Sequence, residues 1–138
     1  MSVDIDRATL WFLTARGMSA ACSKTSHEVH SSAAGLFAQS VLGFSEDVCI
    51  EGKSFARMQR LSLMDCLAGV AALPLEIREK FLTGALMIAL LDRTMDPSEV
   101  RWASALASAM KLTAAQVEEC CLGARILTDM LHPVSQRA

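Results

Sequence analysis

Hydrophobic residues recur through most of the chain at intervals of three and four, the spacing that places side chains on one face of an α-helix. In the first segment Ala8, Trp11, Phe12 and Ala15 form such a stripe. The pattern predicts helices over residues 4–21, 26–42, 55–60, 62–73, 74–91, 97–111 and 114–131, with 44–54 as the longest loop. Residues 81–91 are apolar on all sides, which predicts a helix at the centre of a bundle.

Three of these helix starts carry capping residues. Asp96 and Glu99 have the spacing of an N-cap residue and its N3 partner, and Thr113 and Gln116 repeat it. In such a pair the first side chain accepts a hydrogen bond from the backbone at N3, while the second accepts one from the backbone of the N-cap residue. Ser62 is predicted to cap the helix that follows it. The second half of the chain is therefore divided into helices more sharply than the first.

The composition agrees with an all-α fold. The chain has 138 residues, enough for one domain, and includes 21 Ala, 18 Leu and 8 Met against 8 Val, 5 Ile and no Tyr. Ala, Leu and Met favour helices, whereas β-branched and aromatic residues favour strands. We therefore expect a single all-α domain, a bundle of about six or seven helices spanning residues 1–138.

Charge and hydropathy exclude two classes of partner. The formal net charge is −2, and the 13 basic residues form no block that would neutralise a row of phosphates, so no nucleic-acid partner is predicted. The longest strongly apolar stretch, residues 81–91, is about half of the ~20 residues that a membrane-spanning helix needs. No membrane span is predicted.

The five cysteines indicate a reducing compartment. Their number is odd, their spacing is irregular, and Cys120 and Cys121 are adjacent, which makes a poor disulfide framework. Most of them lie among apolar neighbours, where a free cysteine behaves as a small hydrophobic residue. We expect free thiols and a cytoplasmic protein.

Two stretches resemble the signature of TerB-like domains, small helical domains named from bacterial tellurite resistance. Residues 91–100 read L-D-R-T-M-D-P-S-E-V, and after an Ala-rich helix residues 110–117 read M-K-L-T-A-A-Q-V. The resemblance covers residues 61–131, while residues 1–60 are predicted to be helical without an assigned family. Arg93 stands where the family has a glycine. The resemblance implies a TerB-like helical bundle with a role in a bacterial stress or tellurite response.

The acidic turn formed by Asp92, Asp96 and Glu99 is the first candidate for a functional site. Carboxylates at this spacing around a helix start could converge on a hard cation. The positions do not fit a calcium-binding loop, because Pro97 stands where the loop needs glycine. Capping already explains Asp96 and Glu99, so capping is the preferred interpretation and the three residues remain weak candidates for a metal site. No metal ligand and no cofactor are assigned.

Two further clusters carry ligand-type side chains. Cys22, His27, Glu28 and His30 could hold a transition metal, but the two histidines lie three residues apart and lack the spacing of a zinc peptidase motif. A solvated or half-buried helix face is the preferred interpretation of this cluster. Cys120 and Cys121 point about 100° apart on a helix and are interpreted as core or interface residues. No nucleophile, phosphate-binding or dinucleotide motif is present, and we predict that the protein is not an enzyme.

The apolar content instead predicts association. Hydrophobic residues make up 52% of the chain, and roughly 30% of the surface of a chain of this size stays exposed after folding. Trp102, Leu122, Ile126 and Met130 lie beside the predicted core stripes of their helices. We therefore expect a non-catalytic cytoplasmic interaction module, either a homo-oligomer or a monomer that binds a protein partner through an apolar helix face. The alternatives are a cation-dependent binder or sensor that uses the acidic turn, and an accessory domain of a hydrolase system.

Overall fold

The computed structural model describes residues 6–22, 27–92 and 94–131, and within these ranges the fold is all-α, as predicted. Among the described residues six helices have nine residues or more, two are shorter, and a single 3₁₀ turn (Leu90–Asp92) follows the sixth helix. In chain order the α-helices are α1 (Arg7–Ala21), α2 (His27–Ser40), α3 (Glu46–Gly52), α4 (Phe55–Gln59), α5 (Leu63–Ala71), α6 (Leu75–Ala89), α7 (Pro97–Ala109) and α8 (Ala114–Leu131).

Helix α1 lies at the centre of the bundle and packs against α2, α3, α5, α6 and α7. The sequence pattern predicts one apolar stripe on this helix, but 11 of its 15 residues are buried, while Arg7 and Arg16 remain exposed. The buried threonines are tolerated because their hydroxyl groups form local hydrogen bonds. The Thr14 hydroxyl donates to the Leu10 carbonyl at 2.8 Å, and the Thr9 hydroxyl donates to the Asp6 carboxylate at 3.0 Å.

Trp11 anchors the core where α1 meets α2 and α6. Its ring is fully buried, with its centroid 4.9 Å from the ring of Phe37 and 5.6 Å from the ring of Phe81. The indole N–H donates to the Ala34 carbonyl at 3.0 Å, so the polar atom of the ring is satisfied. Gly84 allows α6 to approach, because a Cβ atom there would lie 2.4 Å from the Trp11 ring.

The other side of α6 packs against α8, the most extensive helix pair in the bundle. From Phe81 to Ala89 helix α6 is almost completely buried, as its apolar sequence predicts. Cys120, Ala124 and Thr128 form the inward face of α8 at four-residue spacing. The helices thus share one hydrophobic core.

The predicted helix starts agree with the structure. The Ser62 side chain accepts a hydrogen bond from the backbone N–H of Asp65 at 3.1 Å, while the Asp65 carboxylate accepts one from the Ser62 N–H at 2.8 Å. Thr113 and Gln116 form the same reciprocal pair at the start of α8. Gly43 follows α2 and has a φ of 74°, in the left-handed region that glycine adopts easily. A glycine at this position predicts the end of the helix.

Three expectations differ from the structure. Most of the predicted loop 44–54 is helix α3, which Ser45 caps by accepting a hydrogen bond from the Val48 N–H at 3.2 Å. Pro74 precedes α6 as its N-cap residue instead of opening it. On α7 the sequence predicts a core stripe of Val100, Ala103, Leu106, Ala107 and Met110. Leu106 and Met110 are fully buried, but Val100 is exposed, and Trp102, expected beside the stripe, is buried at 8% exposure. The Trp102 indole donates to the Thr14 carbonyl of α1 at 3.1 Å, which holds the ring inside the bundle.

Candidate functional site

The acidic turn forms the N-terminal cap of α7. Asp96 is the N-cap residue and Glu99 occupies N3, and the two form a reciprocal capping box. The Glu99 carboxylate accepts a hydrogen bond from the Asp96 N–H at 2.8 Å and is completely buried. The side chain of Asp92, the third predicted residue, lies outside the described part of the structure. The structure therefore agrees with the preferred capping interpretation of Asp96 and Glu99.

Cys22 joins this pair from the end of α1. Its sulfur and one carboxylate oxygen each of Asp96 and Glu99 all lie within 4.8 Å of one another. A thiolate with two carboxylates is a donor set suited to a divalent transition metal. The sequence analysis grouped Cys22 with the histidines of α2. In the structure Cys22 is the C-cap of α1 and lies beside the N-terminal cap of α7.

His27 and His30 converge on a serine instead. The Ser19 hydroxyl oxygen lies 2.6 Å from His27 Nδ1 and 2.8 Å from His30 Nδ1. Ser19 and His30 are buried, whereas His27 is exposed and so is Glu28, which does not take part. A hydroxyl carries one proton, so in the neutral state one imidazole accepts from Ser19 while the other donates to it. This arrangement ties α1 to α2.

The same three residues line a pocket of about 290 Å³ between α1, α2 and the segment that holds α4. The apolar part of its lining consists of Phe12, Ala15, Ala34 and Met58, and the polar part consists of Arg16, Ser19, His27, His30, Ser31 and Lys53. The Lys53 ammonium lies 5.4 Å from the centroid of the Phe12 ring. None of the described residues that line the pocket is acidic. The pocket thus combines an apolar floor with a cationic rim.

The serine–histidine contact has the distance of a nucleophile and its general base. Catalysis by such a pair also requires a group that orients the base and donors for the developing oxyanion. Among the described lining residues, no carboxylate is available to orient either ring. The geometry supports polar recognition more directly than acyl transfer.

The adjacent cysteines do not form a redox pair. Cys120 is buried against α6, where its thiol donates to the Glu79 carbonyl at 3.4 Å, while Cys121 is only partly buried. Burial raises the pKa of the Cys120 thiol, which keeps it protonated and unreactive at neutral pH. All five cysteines are free thiols. The interpretation of Cys120 as a core residue is consistent with this environment.

The outer face of α8 carries an uninterrupted apolar stripe. Leu122, Ile126 and Met130 follow one another at four-residue spacing and are 57%, 59% and 68% exposed. Residues at this spacing lie on one side of a helix, so the three side chains form one ridge about 12 Å long. We call this ridge the α8 stripe. Within the described helices, none has the length and hydrophobicity that crossing a membrane requires.

No family model, curated protein or solved structure matches the chain. The pocket residues that sequence reasoning missed are Ser19, Arg16 and Lys53. Ser19 is eight residues from His27 and lies on a different helix, and Lys53 follows α3, so no fixed spacing connects these residues. Of the polar residues in the pocket, the sequence indicated only His27 and His30, because their three-residue spacing places both rings on one side of α2.

Proposed function

We propose that the protein is a non-catalytic, cytoplasmic helical interaction module that forms a homodimer through the α8 stripe. The observation that carries this proposal is the exposure of Leu122, Ile126 and Met130 on one side of α8. Large apolar side chains that lie together on a surface are typical of interaction sites. Ridges at four-residue spacing are also the ones that interdigitate when two helices pack.

The charges beside the stripe favour a second copy of the same chain. Arg125 and Asp129 are both exposed and lie on the same flank of the ridge. When the two-fold axis is perpendicular to the helices, the two copies of α8 pack antiparallel and like flanks meet. Pairing about Ile126 would therefore place Arg125 of one copy near Asp129 of the other, which makes two opposite-charge contacts in each dimer.

The experiment is light scattering across micromolar concentrations. We expect a dimer for the native chain and a monomer for Ile126→Glu. The matched control is Val100→Glu, at another exposed apolar position on α7, which should leave the dimer intact. Arg125→Asp should weaken association, and the double exchange Arg125→Asp with Asp129→Arg should restore it. A native chain that stays monomeric throughout would refute the homodimer. Trp102 was expected beside the core stripe of α7, but it is buried. A charged substitution there would unfold the protein and would not test the interface.

The resemblance of residues 61–131 to TerB-like domains supports a role in a bacterial stress or tellurite response. The capped turns at Asp96 and Thr113 agree with the helix boundaries that this resemblance implies. Purification of the protein from its native cell, with identification of what accompanies it, tests the role directly. Loss of the protein should lower tellurite tolerance, and unchanged tolerance would contradict the tellurite assignment.

A second candidate function is binding of a divalent cation, which the approach of Cys22 to Asp96 and Glu99 favours. Under this hypothesis zinc at about 100 times its dissociation constant would stabilise the fold by ~2.7 kcal/mol. Cys22→Ser should remove that stabilisation, while Cys121→Ser, at a cysteine outside the cluster, should not. An unchanged melting temperature on adding zinc or calcium would leave capping as the only role of the turn.

A further inference from the structure

The pocket between α1 and α2 has the composition of a small-molecule site, and it is independent of the α8 stripe. Its volume of about 290 Å³ is close to the lower end of the range for ligand pockets, ~300 Å³. Phe12 and Met58 contribute buried apolar surface, while Ser19 and His30 contribute buried polar groups. Ligand pockets commonly combine a mostly apolar lining with a few convergent polar groups.

We propose that this pocket binds a small organic anion, a carboxylate that carries a short apolar group. The apolar group would lie against Phe12 and Met58, and the carboxylate would lie toward Arg16 and Lys53. The proposal depends on three features of the site: the sign of its charge, the buried polar wall and the shape of the floor.

The charge of the lining selects an anion. Arg16 and Lys53 are cationic side chains, and none of the described residues that line this pocket is acidic. Glu28 lies outside the pocket and lines, with Lys53, the neighbouring cavity along α2. Arg16 and Lys53 are both exposed, so they lie at the entrance and not at the base. An ammonium ligand of the same shape would meet two like charges there.

The buried wall supplies hydrogen-bonding groups that a purely apolar pocket would lack. Burying a hydroxyl and an imidazole nitrogen costs free energy unless each is hydrogen-bonded, and the Ser19 hydroxyl and the Nδ1 atoms of His27 and His30 satisfy one another. Each imidazole uses Nδ1 in this contact, which fixes the orientation of the two rings relative to α1. The wall is therefore organised before a ligand arrives, which reduces the entropy lost on binding.

The floor limits the size of the ligand. Lys53 lies above the Phe12 ring, and its ammonium is 3.7 Å from the position that a Cβ atom on Gly35 would occupy. This places a cation directly beside the aromatic surface. The Lys53 ammonium and the Phe12 ring together match a ligand with one acid group and an apolar body the size of one ring or a short chain. A nucleotide would exceed the volume of the pocket.

The experiment compares matched pairs of small probes by NMR titration of the ¹⁵N-labelled protein at neutral pH. Benzoate and hexanoate are the acids, benzylammonium and hexylammonium are their cationic counterparts, and benzyl alcohol is the neutral probe. We expect the acids to bind saturably with a Kd of about 1 mM or below, with shift changes at residues that line the pocket. The ammonium probes should show no saturation.

The variants assign the binding to this pocket. Arg16→Gln and Lys53→Gln should each weaken benzoate binding about threefold, and the double variant about tenfold, because exposed charge contacts are individually weak. Arg60→Gln removes an exposed cation outside the pocket and should leave the Kd unchanged. Ser19→Ala should also weaken benzoate binding. If Ser19→Ala does not fold, the Arg16→Gln and Lys53→Gln variants still test whether benzoate binds in this pocket.

Three results would overturn the proposal. The first is that neither acid saturates the protein at a concentration about ten times the expected Kd. The second is that the ammonium probes bind as tightly as the acids, and the third is that the double variant binds benzoate as tightly as the native protein. The dimer test uses α8 variants and a different measurement, so each proposal can fail without the other.

Discussion

Gly84→Ala should destabilise the protein, although alanine is the better helix former. In a helix interior the exchange alone contributes about 1 kcal/mol of stability. At Gly84, however, the new Cβ atom would lie 2.4 Å from the Trp11 ring and 2.6 Å from the Phe37 ring, and both rings are buried. Overpacking of this kind costs ~1–3 kcal/mol, and rigid buried rings place the cost at the upper end. The net change should be a loss of about 1–2 kcal/mol.

Gly35→Ala is the matched control, since it also lies inside a helix. There the nearest atom to an added Cβ is the Lys53 ammonium at 3.7 Å, so the intrinsic gain should appear without a packing cost. For 138 residues 1 kcal/mol corresponds to about 3 °C in melting temperature. Thermal unfolding followed by circular dichroism should therefore show a fall of ~3–6 °C for Gly84→Ala and a rise of ~2–3 °C for Gly35→Ala. Equal melting temperatures for the two variants would refute the packing of α6 against Trp11.

Three other predictions concern stability and reactivity. Asp96→Ala should lower the free energy of unfolding by ~1 kcal/mol in a denaturant titration, whereas Asp96→Asn, which keeps an N-cap acceptor, should be nearly silent. Trp102→Phe should cost ~1–3 kcal/mol, because it removes the indole hydrogen bond to the Thr14 carbonyl and leaves a cavity at a buried position, and an unchanged midpoint would contradict that contact. Native-state alkylation followed by mass spectrometry should modify the partly exposed Cys121 before the buried Cys66. Burial also raises the pKa of the Cys66 thiol in the folded state. As the pH rises above about 8.5, the thiol therefore ionises in the unfolded chain before it does so in the folded protein, and the free energy of unfolding decreases. This decrease should be smaller in Cys66→Ala.

The helix boundaries were predictable where local chemistry determines them. Thr113 and Gln116 satisfy each other's backbone groups within one turn, so four residues of sequence contain the whole signal. The same kind of signal was present at α3, where Ser45 precedes Glu46 and Asp47, acids that are favourable in a first turn. The three acids of that segment, together with Gly52 and the preceding Gly43, led to the prediction of a loop.

Periodicity predicted the buried face of α7 only in part, because Leu106 and Met110 are buried as expected while Val100 and Trp102 lie on the sides opposite to those expected. Alanine occurs at every second position from 103 to 109 and therefore marks no single face. The contact between Trp102 and Thr14, 88 residues apart, selects the inward side. Once that side is fixed, Glu99 lies inside as well, and Val100, predicted to be inside, lies outside at 47% exposure.

The pocket was beyond sequence reasoning for a similar reason. Ser19 faces the two histidines only because α1 and α2 pack side by side, and Lys53 reaches the same place from the end of α3. The α8 stripe was predictable, because Leu122, Ile126 and Met130 are neighbours on a single helix. Features within one helix could be found from spacing, whereas features between helices required the fold.

The central position of α1 has a consequence for how the protein is made. Its two tryptophan contacts come from far along the chain, since Trp11 packs against Phe81 and the Thr14 carbonyl receives its hydrogen bond from Trp102. A ribosome adding ~5–20 residues per second needs roughly 4–18 s to synthesise the 88 residues between Thr14 and Trp102. During that time α1, most of whose residues are buried in the folded protein, can pack against only some of its partner helices. We therefore expect the nascent chain to depend on chaperones that shield α1, and folding to be completed only after α7 has been synthesised.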